Sequence, residues 1–255
     1  MLGRPGSGCS TFLRTVANDH ASFRSVTGSL DYSGLTPQEI LEKYRGEVAY
    51  TPEDDVHFPT LTVRQTLEFA LESKTPKRHR ADIPRYIEMF AQVFGISHVL
   101  NTLVGDEYIR GVSGGERKRV SIIESLAANA SVVAWDNSTR GLDAASALDY
   151  ARSLRILTDT CGKATIVSLY QVSDAVYNLA DKLLLIDEGR MIFQGPARLA
   201  KTYFMSLGYE CQERQTTADF LASVTSVSER RFRQGFGSRA PKGAAELEKV
   251  FRAST

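Results

Sequence analysis

Val112-Ser113-Gly114-Gly115-Glu116-Arg117 is the stretch from which the rest of this chain can be read. Ser113 followed three residues later by Glu116 makes a capping box, in which a hydroxyl and a carboxylate each serve a backbone N–H. A cap alone does not call for two glycines between them. Gly114 and Gly115 leave N–H groups uncovered at the positive end of a helix, an arrangement that attracts anions. The stretch therefore reads both as a helix start and as an anion contact.

Working outward, Ser131 to Asp136 is an apolar run ending in an aspartate, twenty-three residues after Ser113. Such an aspartate can cap a following helix or hold Mg2+ through water. Near the N-terminus stands Gly3-Arg4-Pro5-Gly6-Ser7-Gly8-Cys9-Ser10-Thr11, which fits the phosphate loop G-x4-G-K-[ST] except that Cys9 replaces the lysine. Glycines let successive N–H groups turn inward around a phosphate, and the helix that follows adds its positive end. The Ser10 hydroxyl suits Mg2+. Without a lysine, the same glycines also suit an ordinary tight turn.

Between and beyond these motifs, short apolar runs alternate with helical spacing. Strands are expected at Ser25–Tyr32, Glu47–Thr51, Val132–Trp135, Ala164–Leu169, Lys182–Ile186 and Met191–Gln194. Asp187-Glu188-Gly189-Arg190 is a hairpin signal between the last two. Helices are expected at Ser10–Ala17, Val63–Leu71, Pro84–Phe94, Ser113–Ala128, Ala144–Leu157, Asp174–Leu179 and Pro196–Leu207, with a short one within Ile96–Leu103 and a basic loop at Lys74–Ala81. The alternation predicts an α/β domain with a mixed, mostly parallel sheet over residues 1–208, and a helical subdomain inserted at about 63–130. Periodicity weakens after Gly208, so 209–255 reads as an extension and linker.

Together the motifs resemble the ABC ATPase family of P-loop NTPases. The closer resemblance is to the first, degenerate nucleotide-binding domain of the pleiotropic-drug-resistance transporters, the G subfamily. It is carried by Gly3 to Thr11, Tyr50 to Val63 (YTPEDDVHFPTLTV), Val112 to Val120, Trp135 to Asp143 (WDNSTRGLD), Ser168 to Asp174 (SLYQVSD) and Gly208 to Leu221 (GYECQERQTTADFL). The resemblance implies ATP and Mg2+ as cofactors. Gly3, Gly6, Ser7, Gly8, Cys9, Ser10, Thr11 and Asp136 would hold the nucleotide, with Ser10 and Asp136 on the metal. Ser113, Gly114, Gly115 and Glu116 would act in trans, on nucleotide held by a second such domain.

Four positions depart from the working pattern of that family: Cys9 for the lysine, Glu53 for the Q-loop glutamine, Asn137 for the catalytic glutamate, and Tyr170 for the switch histidine. A thiol with a pKa near ~8.5 is mostly neutral at neutral pH. It forgoes a charge-assisted contact worth about 1.5–3 kcal/mol. Asn137 has no basic oxygen for the attacking water, a loss of roughly 10²–10⁴-fold. The expected result is nucleotide binding with little or no hydrolysis.

The chain has 255 residues, a net charge of +1, and 42% hydrophobic residues. These values fit a packed domain and give no bulk attraction to nucleic acid. Three widely separated cysteines fit a reducing compartment, and the four histidines show no metal-ligand spacing. No run approaches the ~18–20 apolar residues of a membrane span. The resemblance implies membrane helices outside this chain, a place on the cytoplasmic face of a membrane, most naturally the plasma membrane, and a soluble cytoplasmic character for the chain in isolation. The strand feeding the phosphate loop is reduced to Met1-Leu2, so the N-terminal strands read as truncated. The adenine-stacking aromatic of the family would lie upstream. Two other readings stand beside export of xenobiotics or lipids: a soluble, non-transport ABC protein, and a truncated remnant without function.

Overall fold

Each strand of the protein is an apolar run only a few residues long, and each gains its order from a neighbour. The computed structural model describes residues 1–170, 172–237 and 239–254. Gln171, inside the SLYQVSD stretch, and Ser238 and Thr255, inside the expected extension, lie outside the described residues. The strands are β1 (Leu2–Gly3), β2 (Val48–Thr51), β3 (Val132–Trp135), β4 (Ala164–Val167), β5 (Lys182–Asp187) and β6 (Arg190–Pro196). Parallel pairing orders β2-β3-β4 in one sheet and joins β1 to β5 in the other, where β6 runs antiparallel to β5. The Met1 amine donates to the Val167 carbonyl at 2.6 Å, and the Leu169 N–H donates to the Met1 carbonyl at 3.2 Å. These bonds bring β1 alongside β4, so the sheets meet and the order reads β2-β3-β4-β1-β5-β6. At the β5–β6 turn, Glu188 and Gly189 have φ of 48° and 73°, the positive pair that a two-residue hairpin demands.

The helices are α1 (Cys9–Val16), α2 (Pro37–Lys43), α3 (Val63–Lys74), α4 (Ile83–Val93), α5 (Gly114–Ala127), α6 (Ala144–Cys161), α7 (Asp174–Tyr177), α8 (Ala197–Ser206), α9 (Thr217–Val224) and α10 (Ala244–Ser254). Short 3-10 turns occupy Lys77–Asp82 and Ser97–Val99, where a loop and a short helix were expected. α3, α4 and α5 bury Leu67, Ile87, Ile123 and their neighbours in a cluster of their own. A second cluster gathers β5, β6, α8, α9 and α10 around Leu185, Phe204, Phe220 and Leu247. The segment after Gly208 thus carries two packed helices. α9 is only eight residues long, and α10 buries only Ala244, Leu247 and Phe251. Those stretches are too short for a clear periodic signal.

One expected strand does not form. Ser25–Tyr32 is an exposed coil closed by a bridge between Tyr32 and Leu35. Its alternation of Ser, Val and Thr has no strand beside it, and Gly28 takes φ 117°. A β pattern without a pairing partner or a buried face has nothing to stabilise it. Conversely, α2 was not anticipated, although Thr36 and Glu39 close a capping box around Pro37.

Candidate nucleotide site

β1 leads straight into the loop 3–8, and α1 leaves it. The loop is closed by the Ser7 N–H donating to the Arg4 carbonyl at 2.9 Å, and held to the hairpin by the Gly189 N–H donating to the Ser7 carbonyl at 2.8 Å. A Cβ on Gly3 would lie 2.3 Å from Ser7 Oγ, 2.6 Å from Cys9 Sγ and 2.9 Å from the Ile186 carbonyl. Only glycine fits there. Gly8 stands at the N-cap of α1 with φ 102° and no side chain to take the first N–H groups. The first helical residues, Cys9, Ser10 and Thr11, line the cleft, and a helix start without a side-chain cap is the arrangement that receives a phosphate. Burial pushes the Cys9 thiol up from its usual pKa, so it stays neutral and contributes no charge of either sign.

This loop forms one wall of a cleft of about 880 Å³. Gly3, Gly6, Gly8, Cys9, Ser10 and Thr11 line it. So do Glu53, the neighbouring Asp136 and Asn137, and Tyr170, from three other parts of the chain. Ser7 does not; it is 4% exposed and tucked beneath the loop, 3.5 Å from Cys9 Sγ. Ser113 to Glu116 are also outside the cleft.

Asp136 follows the C-terminal end of β3, the middle strand of its sheet, and is buried. Its Oδ1 accepts from Ser168 Oγ at 2.6 Å and its Oδ2 from the Tyr50 hydroxyl at 2.8 Å. Burial, and then the bond to Asp136, keeps Tyr50 protonated far above the ordinary phenol range. Two fixed donors hold the carboxylate aimed. Ser168 and Tyr50 were not picked out as site residues. Both become partners because β2 and β4 flank β3 in register, Thr51 beside Trp135 and Trp135 beside Val167, and strand order is not written in the sequence. Among the described residues, no group of three or more His, Cys, Asp or Glu is placed to hold a metal. The fit is to Mg2+, which takes one or two protein oxygens and completes its shell from phosphates and water.

Asn137 has φ 41°. Its amide donates to Glu53 Oε1 at 3.0 Å, and Arg140 Nη1 donates to the same oxygen at 2.5 Å. The departures at 53 and 137 therefore complement each other: an acid and an amide face each other, with the charge on the Glu53 side. Tyr170 is half exposed and lines the same cleft.

The loop from Thr51 to His57 is fastened to α5 at every second residue. Thr51 Oγ1 donates to Ser125 Oγ at 3.2 Å. Lys118 Nζ donates to the Glu53 carbonyl at 2.6 Å and to Asp55 at 3.1 Å. His57 Nε2 lies 2.8 Å from Ser121 Oγ. The same helix begins with the capping box, complete as the spacing predicts: Glu116 Oε2 accepts from the Ser113 N–H and hydroxyl, both at 2.8 Å. A Cβ on Gly114 or Gly115 would meet nothing within 4 Å. This chain's own packing does not require either glycine.

A glycine cradle at a helix start, an aimed aspartate behind it and a second glycine-bearing helix start elsewhere define a P-loop nucleotide-binding domain of the ABC type. The family model described as ABC transporter matches residues 1–140. Over its whole length the chain is 57% identical to "ABC multidrug transporter atrF" of Aspergillus fumigatus, covering 16% of that protein. It is 51% identical to "ABC transporter G family member 11" of Dictyostelium discoideum, covering 18%. The chain belongs to the ABC transporter family, as a nucleotide-binding domain of the G and multidrug type. It spans about a sixth of the length of the curated relatives it matches, which carry further domains. Among the described residues, no helix is long and apolar enough to cross a membrane.

Proposed function

We propose that this chain serves an ATP-driven efflux transporter as the nucleotide-binding domain that holds Mg-ATP with little or no hydrolysis, while Ser113, Gly114 and Gly115 complete the hydrolytic site of a second such domain. The observation that carries the reading is the pair Asn137–Glu53. The side chain after Asp136 is an amide already donating to a carboxylate, and it has no basic oxygen to take a proton from water. Gly3, Gly6, Gly8, Ser10 and Thr11 would hold the phosphates, and Ser10 and Asp136 the metal. Bound Mg2+ would neutralise phosphate charge. The open face of Gly114 and Gly115 supports a role toward another molecule. The remaining partners would be membrane-spanning domains of the same transporter, at the cytoplasmic face of a membrane such as the plasma membrane, with xenobiotics or lipids as cargo and no nucleic acid.

The test combines two measurements. A fluorescent ATP analogue with Mg2+ should bind the chain, and phosphate release should stay at background. Turnover that disappears in Asp136→Ala would overturn the non-hydrolytic half. In the complete transporter, Ser113→Arg should abolish ATPase activity; full activity there would refute the role in trans.

A further inference from the structure

Among the described residues, four charged ones line the cleft: Arg4, Arg140, Glu53 and Asp136. The loop supplies none of the charge a polyphosphate needs, because Cys9 is neutral. Arg4 points away, its guanidinium donating to the Thr225 carbonyl beyond α9 at 3.2 Å. Arg140 is different. It sits on the turn after Asn137, where its own N–H donates to the Asn137 carbonyl at 3.0 Å and Gly141 follows with φ 80°. Its side chain is 68% exposed, and among the described residues its guanidinium pairs with Glu53. An exposed ion pair of this kind holds its members loosely. A triphosphate carries several negative charges against the single one on Glu53, and a guanidinium fork matches phosphate oxygens two at a time.

We propose that Arg140 is the phosphate-binding cation of this site, standing in for the missing lysine, and that Glu53 parks it on the cleft wall until a polyphosphate draws it across. The inference rests on the nucleotide reading given above. It gives the carboxylate at position 53 a use: it competes with the ligand for one guanidinium, so ligands with more phosphate charge win more often. The site would then discriminate by phosphate number, favouring ATP over AMP through Arg140.

The experiment titrates the chain with Mg2+ and the N-methylanthraniloyl analogue of ATP, then displaces it with unlabelled ATP, ADP or AMP. Arg140→Ala should weaken ATP by about tenfold or more, the equivalent of one charge-assisted contact, and leave AMP nearly unchanged. Arg140→Lys should restore much of the loss. Glu53→Gln, which releases Arg140, should tighten ATP. Arg140 is exposed, so the variants should melt close to the parent, which separates binding from folding. The inference fails if Arg140→Ala binds ATP within about twofold of the parent, if it loses ATP and AMP alike, or if Glu53→Gln binds ATP more weakly. If the parent chain itself binds no ATP analogue, the nucleotide reading falls first, and this inference with it.

Discussion

Lys118 ties the cleft residue Glu53, through its carbonyl, and Asp55 to the helix that begins at Ser113. Its side chain is 5% exposed, yet it carries an ammonium that donates to the Glu53 carbonyl and to Asp55. Lys118→Met keeps the volume of the stem and removes both bonds. Charge-assisted bonds are worth about 1.5–3 kcal/mol each, and breaking a buried pair from one side costs about 3–5 kcal/mol. Two effects offset part of this. Asp55 retains 19% exposure, so water recovers some of the stranded carboxylate, and the cost of burying an ammonium disappears. The expected loss is about 2–3 kcal/mol. With an unfolding entropy of roughly 2.1 cal/mol/K per residue over 255 residues, that lowers Tm by about 4–6 °C. Scanning calorimetry of the purified chain reads it directly. Adding Asp55→Asn should recover part of the loss, since the stranded charge is then gone. A Lys118→Met chain melting within about 1 °C of the parent would show that the tie adds nothing to stability.

Three further outcomes are expected. Gly114→Ala should leave the isolated chain as stable or more so by up to about 1 kcal/mol, because alanine suits a helix better and its Cβ meets nothing; the same change should lower ATPase activity of the complete transporter. Glu116 is held below the usual carboxylate range by the Ser113 N–H and hydroxyl, so its contribution is fully present above about pH 4.5 and is lost as pH falls through the lowered native value. Glu116→Gln should flatten that part of an acid-melting profile. Gly3→Ala would drive a methyl to within 2.9 Å of the Ile186 carbonyl, costing about 1–3 kcal/mol; a melt unchanged from the parent would contradict the tight seat of the loop.

Much of the site was legible because its parts are local. A capping box is chemistry across three residues, and the one read at Ser113 closes as expected. The same rule would have found α2, through Thr36 and Glu39. The Asp187–Arg190 turn follows from its glycine, and the phosphate loop from its glycine spacing. The strand assigned at Ser25–Tyr32 failed for the opposite reason: alternation alone cannot supply the neighbour that a strand needs.

The residues by themselves determined that the chain has a phosphate loop without a lysine, an apolar strand ending in Asp136 and a capped glycine pair at 113–116. Each is set by contacts within one turn or one strand. Only the folded chain decided that Tyr50 and Ser168 would aim Asp136, that Asn137 and Arg140 would share Glu53, and that Lys118 would lash residues 53–55 to α5. The partners in these contacts stand between 32 and 87 positions apart, and what joins them is the order in which β2, β3 and β4 lie side by side, an outcome of the sheet's collective packing that no local pattern encodes.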